Sequence, residues 1–372
     1  MNLNLQEVLR AYLVGYIYWM VIPLGCTAIL MLHNLTGGWW GYPIRRMLEA
    51  GSRMFGLMAV LFIPILAGMW MKVIYPWTQD EKRAELLADP NYKFKMAYLT
   101  PQFFTIRAVI YFAILLTLAF FLNKWSREQD TTADPDIDVA MKDRLEAMSG
   151  PGIILWGLVV TFAMIDWVMS LEPKWFSTIY GMIFMIVGAL TAMSFMIVNL
   201  RRMADQEPYR NTITPQHYND LGNLMLAFTM LWAYLNFSQF LIIWAANIHD
   251  EIPWYMSRAF GPWAKVAVVL IVLHFALPFL LLLQRNVKRR VERLGSVAAM
   301  MLVLSMVDVY WLIVPAYEPE QIQFGALALD ILFLVLIGAV WLSVYFWQLK
   351  KMPLLPLHDP RFEGVLHHEH GD

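Results

Sequence analysis

Three titratable side chains, Asp166, His274 and Asp308, each lie well inside a long stretch of apolar residues. A charge at the centre of a bilayer costs about 2.5–3.5 kcal/mol on insertion scales. Such groups therefore usually face the interior of a helix bundle, where they pair with one another or line a path for protons. We expect Asp166 and Asp308 to be proton-path residues, and an interhelical ion pair is the open alternative for each.

Other polar side chains mark the ends of the same stretches. Arg107 and Lys265 are the natural ion-pair partners of Asp166 or Asp308. For Arg107, Lys265 and Asp330 the alternative is snorkelling, in which the charged tip reaches the membrane surface along its own apolar stem. Two uncharged polar residues occupy the end of a further stretch: Ser238 and Gln239.

His274 has a second feature, because Pro278 follows it by four residues. Proline has no N–H, so the carbonyl of His274 loses its helical donor and we expect the helix to kink there. An imidazole beside a free carbonyl in mid-membrane is suited to relaying a proton. A plain hydrogen bond to a neighbouring helix is the alternative for His274.

The elements that must position these residues are membrane helices. Hydrophobic residues make up 59% of the chain and charged residues 15%, against about 45–50% and about 25% in soluble proteins. About twenty apolar residues cross the hydrocarbon layer as a helix, and only helices or closed barrels satisfy the backbone there. Nine stretches qualify: 11–32, 48–71, 103–122, 151–171, 178–200, 220–245, 262–283, 295–314 and 324–347.

The loops indicate an orientation. Seventeen Lys and Arg residues fall on one set of alternate loops and eight on the other. The positive-inside rule places the richer set in the cytoplasm, so we expect an outside N-terminus and a cytoplasmic C-terminus in a bacterial inner membrane. The longest loops, 73–102 and 123–150, are too short to hold a soluble domain. Residues 149–152 read SGPG and should break the chain where the fourth span starts.

The composition also narrows the chemistry. A net charge of −1 argues against nucleic acid as a partner, and one cysteine cannot hold an iron–sulfur cluster. A single deep histidine makes a bis-histidine haem improbable, and no metal-binding spacing appears. We therefore expect no catalytic residue, cofactor or metal bound directly by this chain, so that any redox centre belongs to a partner.

Three segments together carry a family resemblance. Residues 33–41 read HNLTGGWWG, residues 166–181 read DWVMSLEPKWFSTIYG, and residues 237–244 read FSQFLIIW, with IPWY at 252–255. They resemble the ActF subunit of bacterial alternative complex III, a quinol:electron-acceptor oxidoreductase, and the related NrfD-like membrane subunit of polysulfide reductase. The family has ten spans, one more than this chain.

The resemblance implies an all-α integral membrane fold of two four-helix bundles. Residues 1–172 would form the first and 173–314 the second, with a peripheral helix at 315–347 and a cytoplasmic tail at 348–372. It implies a proton path to which Asp166 and Glu172 belong, and burial extends this proposal to His274 and Asp308.

The resemblance also implies a set of partners. An ActC-like quinol-binding subunit would lie beside this chain, with a multihaem cytochrome c, an iron–sulfur subunit, a monohaem cytochrome c, small membrane subunits and lipids. Menaquinone or ubiquinone would bind nearby, and the haems and iron–sulfur clusters would sit in partners. The chain would be a non-haem subunit that is not catalytic alone. Two alternatives remain, a stand-alone secondary transporter and a passive membrane scaffold.

Overall fold

The computed structural model describes residues 4–131, 135–320 and 324–356, and within them it is helical and contains no strand. Nine of its helices are long and apolar enough to cross a membrane, as the hydropathy pattern predicts for a multi-pass membrane protein. We number them spans 1 to 9: Leu5–Thr36, Arg45–Trp70, Pro101–Asp130, Asp136–Leu171, Tyr180–Met203, Pro215–Ala246, Gly261–Leu283, Val291–Ala316 and Gly325–Leu349.

Local signals set several of the helix ends. Asn4 caps span 1 by accepting a hydrogen bond from the Gln6 N–H at 3.2 Å. Gly37, with φ 62°, ends that span by donating its N–H to the His33 carbonyl, a conformation that glycine adopts at little cost. Span 6 starts at a capping box between Thr214 and His217.

Two spans are not continuous α-helices. Span 2 consists of three consecutive helices, Arg45–Ser52, Phe55–Leu61 and Ile63–Trp70. Span 7 contains a π-helical segment, Leu270–Ala276, between α-helices on either side. A π-helical turn pairs each carbonyl with the N–H five residues later, and here the Leu277 N–H donates to the Val272 carbonyl.

One prediction about a boundary is wrong. The SGPG segment at 149–152 does not break the chain, because one helix runs from Pro135 to Trp167 with Pro151 inside it. A proline removes one intrahelical hydrogen bond. In the turn that precedes Pro151, the Ser149 hydroxyl donates a hydrogen bond to the Leu145 carbonyl at 2.7 Å. The Asn34 side-chain amide of span 1 donates to that hydroxyl at 3.1 Å.

Short helices connect the spans. We call the side where span 1 begins the N-terminal face and the opposite side, where span 9 ends, the C-terminal face. The connecting helices are Trp39–Gly41, Pro76–Thr78, Asp80–Ala88, Lys93–Tyr98, Tyr209–Thr212, Ile252–Ala259 and Arg285–Lys288. Of the predicted tail at 348–372, residues 357–372 lie outside the described residues.

Span 1 is the centre of the packing. It contacts spans 2, 4, 5, 8 and 9, whereas span 5 contacts spans 1, 4, 6 and 8. Spans 1 and 5 cross closely because Gly25 and Gly188 leave room for the backbones, and a Cβ on Gly25 would lie 1.9 Å from the Gly188 carbonyl oxygen. Small residues at such crossings are usual between membrane helices.

Candidate functional site

Asp308 has the fewest hydrogen-bond and ionic partners of the predicted carboxylates inside the helix bundle. It lies in span 8 with a side chain that is 1% exposed. The Trp232 indole of span 6 donates from Nε1 to Asp308 Oδ2 at 2.8 Å. Within the described residues Oδ1 has no hydrogen-bond partner. Unlike the other deep carboxylates, Asp308 therefore has one neutral donor and no cationic partner there.

His274 belongs to the same group of side chains. Its imidazole is fully buried and meets the Trp232 ring edge-on, with 4.6 Å between centroids. Nε2 of His274 lies 3.4 Å from the Ser305 hydroxyl, and Nδ1 has no partner in the described ranges. We call Trp232, His274, Ser305 and Asp308 the Asp308 cluster, to which spans 6, 7 and 8 all contribute.

Helical spacing brings this cluster together. Ser305 and Asp308 are three residues apart, so they share one face of span 8. Trp232 belongs to a buried stripe of span 6 that recurs every three or four residues: Met225, Phe228, Thr229, Trp232, Leu235 and Gln239. The π-helical segment of span 7 contains His274, and such segments often occur at functional sites.

Glu172 lies near the Asp308 cluster but is paired. Arg258 binds both of its carboxylate oxygens, at 2.9 and 3.3 Å, and lies over the Trp254 ring with 4.0 Å to the centroid. Arg258 also donates to the Leu312 carbonyl at 3.1 Å. Since Leu312 follows Asp308 by four residues, the Glu172–Arg258 pair is anchored one helical turn from Asp308, toward the N-terminal face.

Asp166 is in a different part of the protein and has a permanent counter-ion. Arg107 of span 3 binds it through two hydrogen bonds, Nε to Oδ2 at 2.7 Å and Nη2 to Oδ1 at 2.9 Å. The Tyr111 hydroxyl donates to Oδ2 at 2.7 Å. Arg107 is itself held by the Tyr98 carbonyl at 3.0 Å. Of the two alternatives for Asp166, the geometry is that of an interhelical ion pair.

The remaining predicted residues have separate surroundings. Snorkelling is wrong for Asp330, which is 3% exposed and binds Arg10 through both oxygens at 2.9 Å. Lys265 is exposed on span 7, as snorkelling requires. Gln239 accepts from the Ser177 hydroxyl at 3.0 Å, while Ser238 is half-buried.

One buried charged cluster was not anticipated from the sequence. Glu49 is fully buried toward the C-terminal face and pairs with Arg46 at 2.7 Å and with Arg45 at 3.2 Å. The Ser126 hydroxyl of span 3 donates to Glu49 at 2.6 Å. The positions of Arg45 and Arg46, four and three residues before Glu49, are the signal that could have indicated this cluster.

The Asp308 cluster differs chemically from these ion pairs. A carboxylate bound to an arginine is stabilised in its charged form, and removing the charge would leave the arginine unpaired. Asp308 has no such partner among the described residues, so gaining a proton removes an uncompensated charge from the helix interior. The arrangement is suited to exchanging a proton, with the His274 imidazole as a second acceptor in the same cluster.

No model of a protein family matches the chain, and no curated protein is similar to it. Within the described residues no group of three His, Cys, Asp or Glu side chains lies close enough together to hold a metal ion.

Proposed function

We propose that this protein is a non-haem membrane subunit of a quinol-oxidising electron-transfer complex, and that its Asp308 cluster exchanges protons with that complex. The first half of the proposal is supported by the segments that resemble the ActF subunit of alternative complex III. The second half is supported by one observation, the buried carboxylate of Asp308 without a cationic partner among the described residues.

The contrast with the other carboxylates carries the argument. Asp166, Glu172 and Asp330 are each bound by an arginine through two hydrogen bonds. A subunit that only holds helices together gains nothing from a further carboxylate without such a partner, because burying it costs free energy. A carboxylate that must gain and lose a proton needs a site in which no cation stabilises its charged form.

The chain's own residues have defined roles in this proposal. Trp232 holds Asp308 Oδ2 at 2.8 Å and so fixes the carboxyl group in one orientation. Oδ1 is the atom that takes up the proton, and Nδ1 of His274 is the second acceptor because both lack a partner in the described ranges. The Glu172–Arg258 pair lies between this cluster and the N-terminal face, where a proton would be exchanged with water.

In this proposal spans 1 to 4 and 5 to 8 form two four-helix bundles and span 9 is peripheral. The N-terminal face is outside, because the loops of the opposite face carry most of the Lys and Arg residues. The ion pairs Arg107–Asp166 and Arg10–Asp330 brace the first bundle and span 9. A passive scaffold is therefore the second candidate, and these pairs are the observation that favours it.

The partners would lie against the outward faces of spans 6, 7 and 9. Those spans are the least enclosed, with 33%, 22% and 22% of their most apolar segments buried, compared with 89% for span 1. An ActC-like quinol-binding subunit, cytochromes c and an iron–sulfur subunit would supply quinol oxidation and electron transfer. Menaquinol or ubiquinol would react in those partners, and no step requires a cofactor bound by this chain.

Isolation from native membranes tests the proposal. The full chain, tagged at one terminus and extracted in a mild detergent, should co-purify in fixed ratio with c-type haem, iron and quinol oxidation activity. A matched preparation of an unrelated tagged membrane protein from the same cells controls for carry-over. Recovery of the chain alone, without haem or quinol oxidation, would contradict membership of such a complex.

A further inference from the structure

The Asp308 cluster lies closer to charged groups on one side of the membrane than on the other. Toward the N-terminal face, Arg258 donates to the Leu312 carbonyl at 3.1 Å and binds Glu172. Since Leu312 follows Asp308 by four residues, Arg258 is bound about 6 Å from Asp308 along the axis of span 8. The Glu172 side chain is 25% exposed, which brings this ion pair into contact with water.

Tyr180, the first residue of span 5, interacts with both the ion pair and Asp308. Its side chain is buried, and its ring meets the Trp254 ring edge-on, with 6.4 Å between centroids. The charged groups that act on its hydroxyl are Arg258, Glu172 and Asp308. A phenolic hydroxyl both donates and accepts hydrogen bonds, so Tyr180 can take up one proton as it gives away its own.

Toward the C-terminal face, the three spans of the cluster bury apolar side chains instead. They include Met225 and Phe228 of span 6, Pro278 and Leu282 of span 7, and Ala298 and Met301 of span 8. The polar contact near the ends of these spans joins Lys288 Nζ to Asn223 Oδ1 at 2.6 Å. Asn223 precedes Trp232 by nine residues, so this contact lies about 14 Å from the cluster along span 6.

The polar side chains at the depth of this apolar layer use their donors on backbone carbonyls. Four of them bond the carbonyl four residues earlier in their own helix: Thr191, Ser194, Asn199 and Thr229. Tyr18 of span 1 donates to the Leu302 carbonyl at 3.1 Å. A charge has nothing to solvate it among apolar side chains, so its transfer there is strongly unfavourable. The layer therefore opposes proton movement between Asp308 and the C-terminal face.

We propose that Asp308 exchanges its proton with the N-terminal face alone, by way of the Glu172–Arg258 pair and the Tyr180 hydroxyl. This role rests on the proposed function, in which Asp308 is the group that takes up the proton. During uptake, Tyr180 passes its hydroxyl proton on toward Asp308 Oδ1 and takes another from the side of Glu172, so the tyrosine is unchanged at the end. The chain then stores a proton for one side of the membrane and conducts none across it.

The side from which Asp308 takes up its proton can be measured in liposomes. The full chain, tagged at its N-terminus, is reconstituted with a membrane-impermeant buffer inside, and infrared difference spectra are recorded as the bath pH is stepped. The carboxyl band that is absent from Asp308→Asn reports on Asp308. Tag removal by an added protease gives the share of molecules whose N-terminal face points outward. We expect that share of the band to follow the bath pH at once, and the rest only after a proton ionophore is added.

Two outcomes separate this inference from the proposed function. A band that follows the bath pH in full before the ionophore, or in a share that matches the opposite orientation, would overturn one-sided exchange. The proposed function would survive that result, because Asp308 would still take up a proton. Absence of the band in the wild type, even with the ionophore, would overturn both.

Tyr180→Phe tests the route, because it removes a single buried oxygen atom. A positioned proton-transfer group typically accelerates a step by about 100-fold or more, so the Asp308 band should rise about 100-fold more slowly after a pH jump and reach the same amplitude. The matched control is Tyr345→Phe, which removes a buried hydroxyl that bonds the Met47 carbonyl at 3.4 Å and should keep the wild-type rate. An unchanged rate in Tyr180→Phe, a smaller amplitude at the wild-type rate, or equal slowing in both variants would overturn the role of Tyr180.

Discussion

Trp232 donates the one hydrogen bond that Asp308 receives from the described residues, at 2.8 Å between Nε1 and Oδ2. The same indole ring meets His274 edge-on, so a single side chain connects the two groups proposed to exchange a proton. Spans 6, 7 and 8 therefore meet at a polar centre that contains no ion pair within the described part of the chain.

Replacing Trp232 by phenylalanine tests the importance of this donor. Trp232→Phe keeps a ring against His274 but leaves both carboxyl oxygens of Asp308 without a partner in the described structure. A buried group that loses its hydrogen bond costs about 1–3 kcal/mol, and we expect the free energy of unfolding in mixed micelles to fall by that amount. The matched control is Trp341→Phe, because the Trp341 Nε1 is buried without a partner among the described residues.

Two equally small substitutions, at Asp166 and at Asp308, should have different consequences for stability. Asp166→Asn leaves the half-buried Arg107 beside a neutral group, and removing one partner of a buried pair typically costs about 3–5 kcal/mol. Asp308→Asn leaves no cation behind and should change the free energy of unfolding by less than about 1 kcal/mol. Unfolding both variants in the same detergent compares them directly, and a larger loss for Asp308→Asn would be inconsistent with the structure.

The crossing of spans 1 and 5 should tolerate no added methyl group. A Cβ on Gly25 would lie 1.9 Å from the Gly188 oxygen, whereas a Cβ on Gly56 meets nothing within 4 Å. We expect Gly25→Ala to lower the free energy of unfolding by about 3 kcal/mol or more, at or beyond the usual range for overpacking. Gly56→Ala should be neutral or stabilising, since alanine favours a helix. Similar values for the two variants would contradict the close crossing.

Lys95, outside the nine spans, should make stability depend on pH. Burial lowers the pKa of its ammonium group to about 8, although Nζ donates to the Trp175 carbonyl at 2.6 Å. Between about pH 8 and its ordinary pKa of 10.5 the unfolded chain holds more protons at Lys95, so stability rises with pH there and the gain is lost as pH falls through 8.

Thermal unfolding at pH 7.5 and 9.5, values chosen to bracket about pH 8, measures this effect. The difference between the two pH values should shrink in Lys95→Gln. Lys93→Gln, which alters an exposed residue of the same short helix, should keep the wild-type difference. Loss of the difference in both variants, or in neither, would exclude Lys95 as its source.

The sequence predicted the fold to the extent that hydropathy determines it. The nine apolar stretches correspond to nine apolar helices among the residues that the structure describes, because crossing lipid requires both length and an internally bonded backbone. The helix ends were less predictable. Pro151 lies inside a helix that packs on span 1. The helix around His274 is π-helical, and Pro278 follows that segment.

The site was predictable only in part, because the sequence does not show which buried carboxylates are paired with a cation. Depth in the membrane identified Asp308 and His274 as unusual, but depth alone does not tell a paired carboxylate such as Asp166 from an uncompensated one. The sequence did not indicate Arg10 as the partner of Asp330, because Arg10 precedes the apolar stretch at 11–32. Nothing in the sequence distinguishes Trp232 from the other fifteen tryptophans, since its role depends on which residue faces it across two helices.

Infrared difference spectroscopy of the isolated chain tests the central claim most directly, and it does not require the partners. Spectra recorded between two pH values should contain a carboxyl band from proton uptake in the helix interior. We expect Asp308→Asn to remove this band and Asp166→Asn, where the protein remains folded, to leave it in place. A band that survives in Asp308→Asn, or no such band in the wild type, would contradict proton exchange at Asp308.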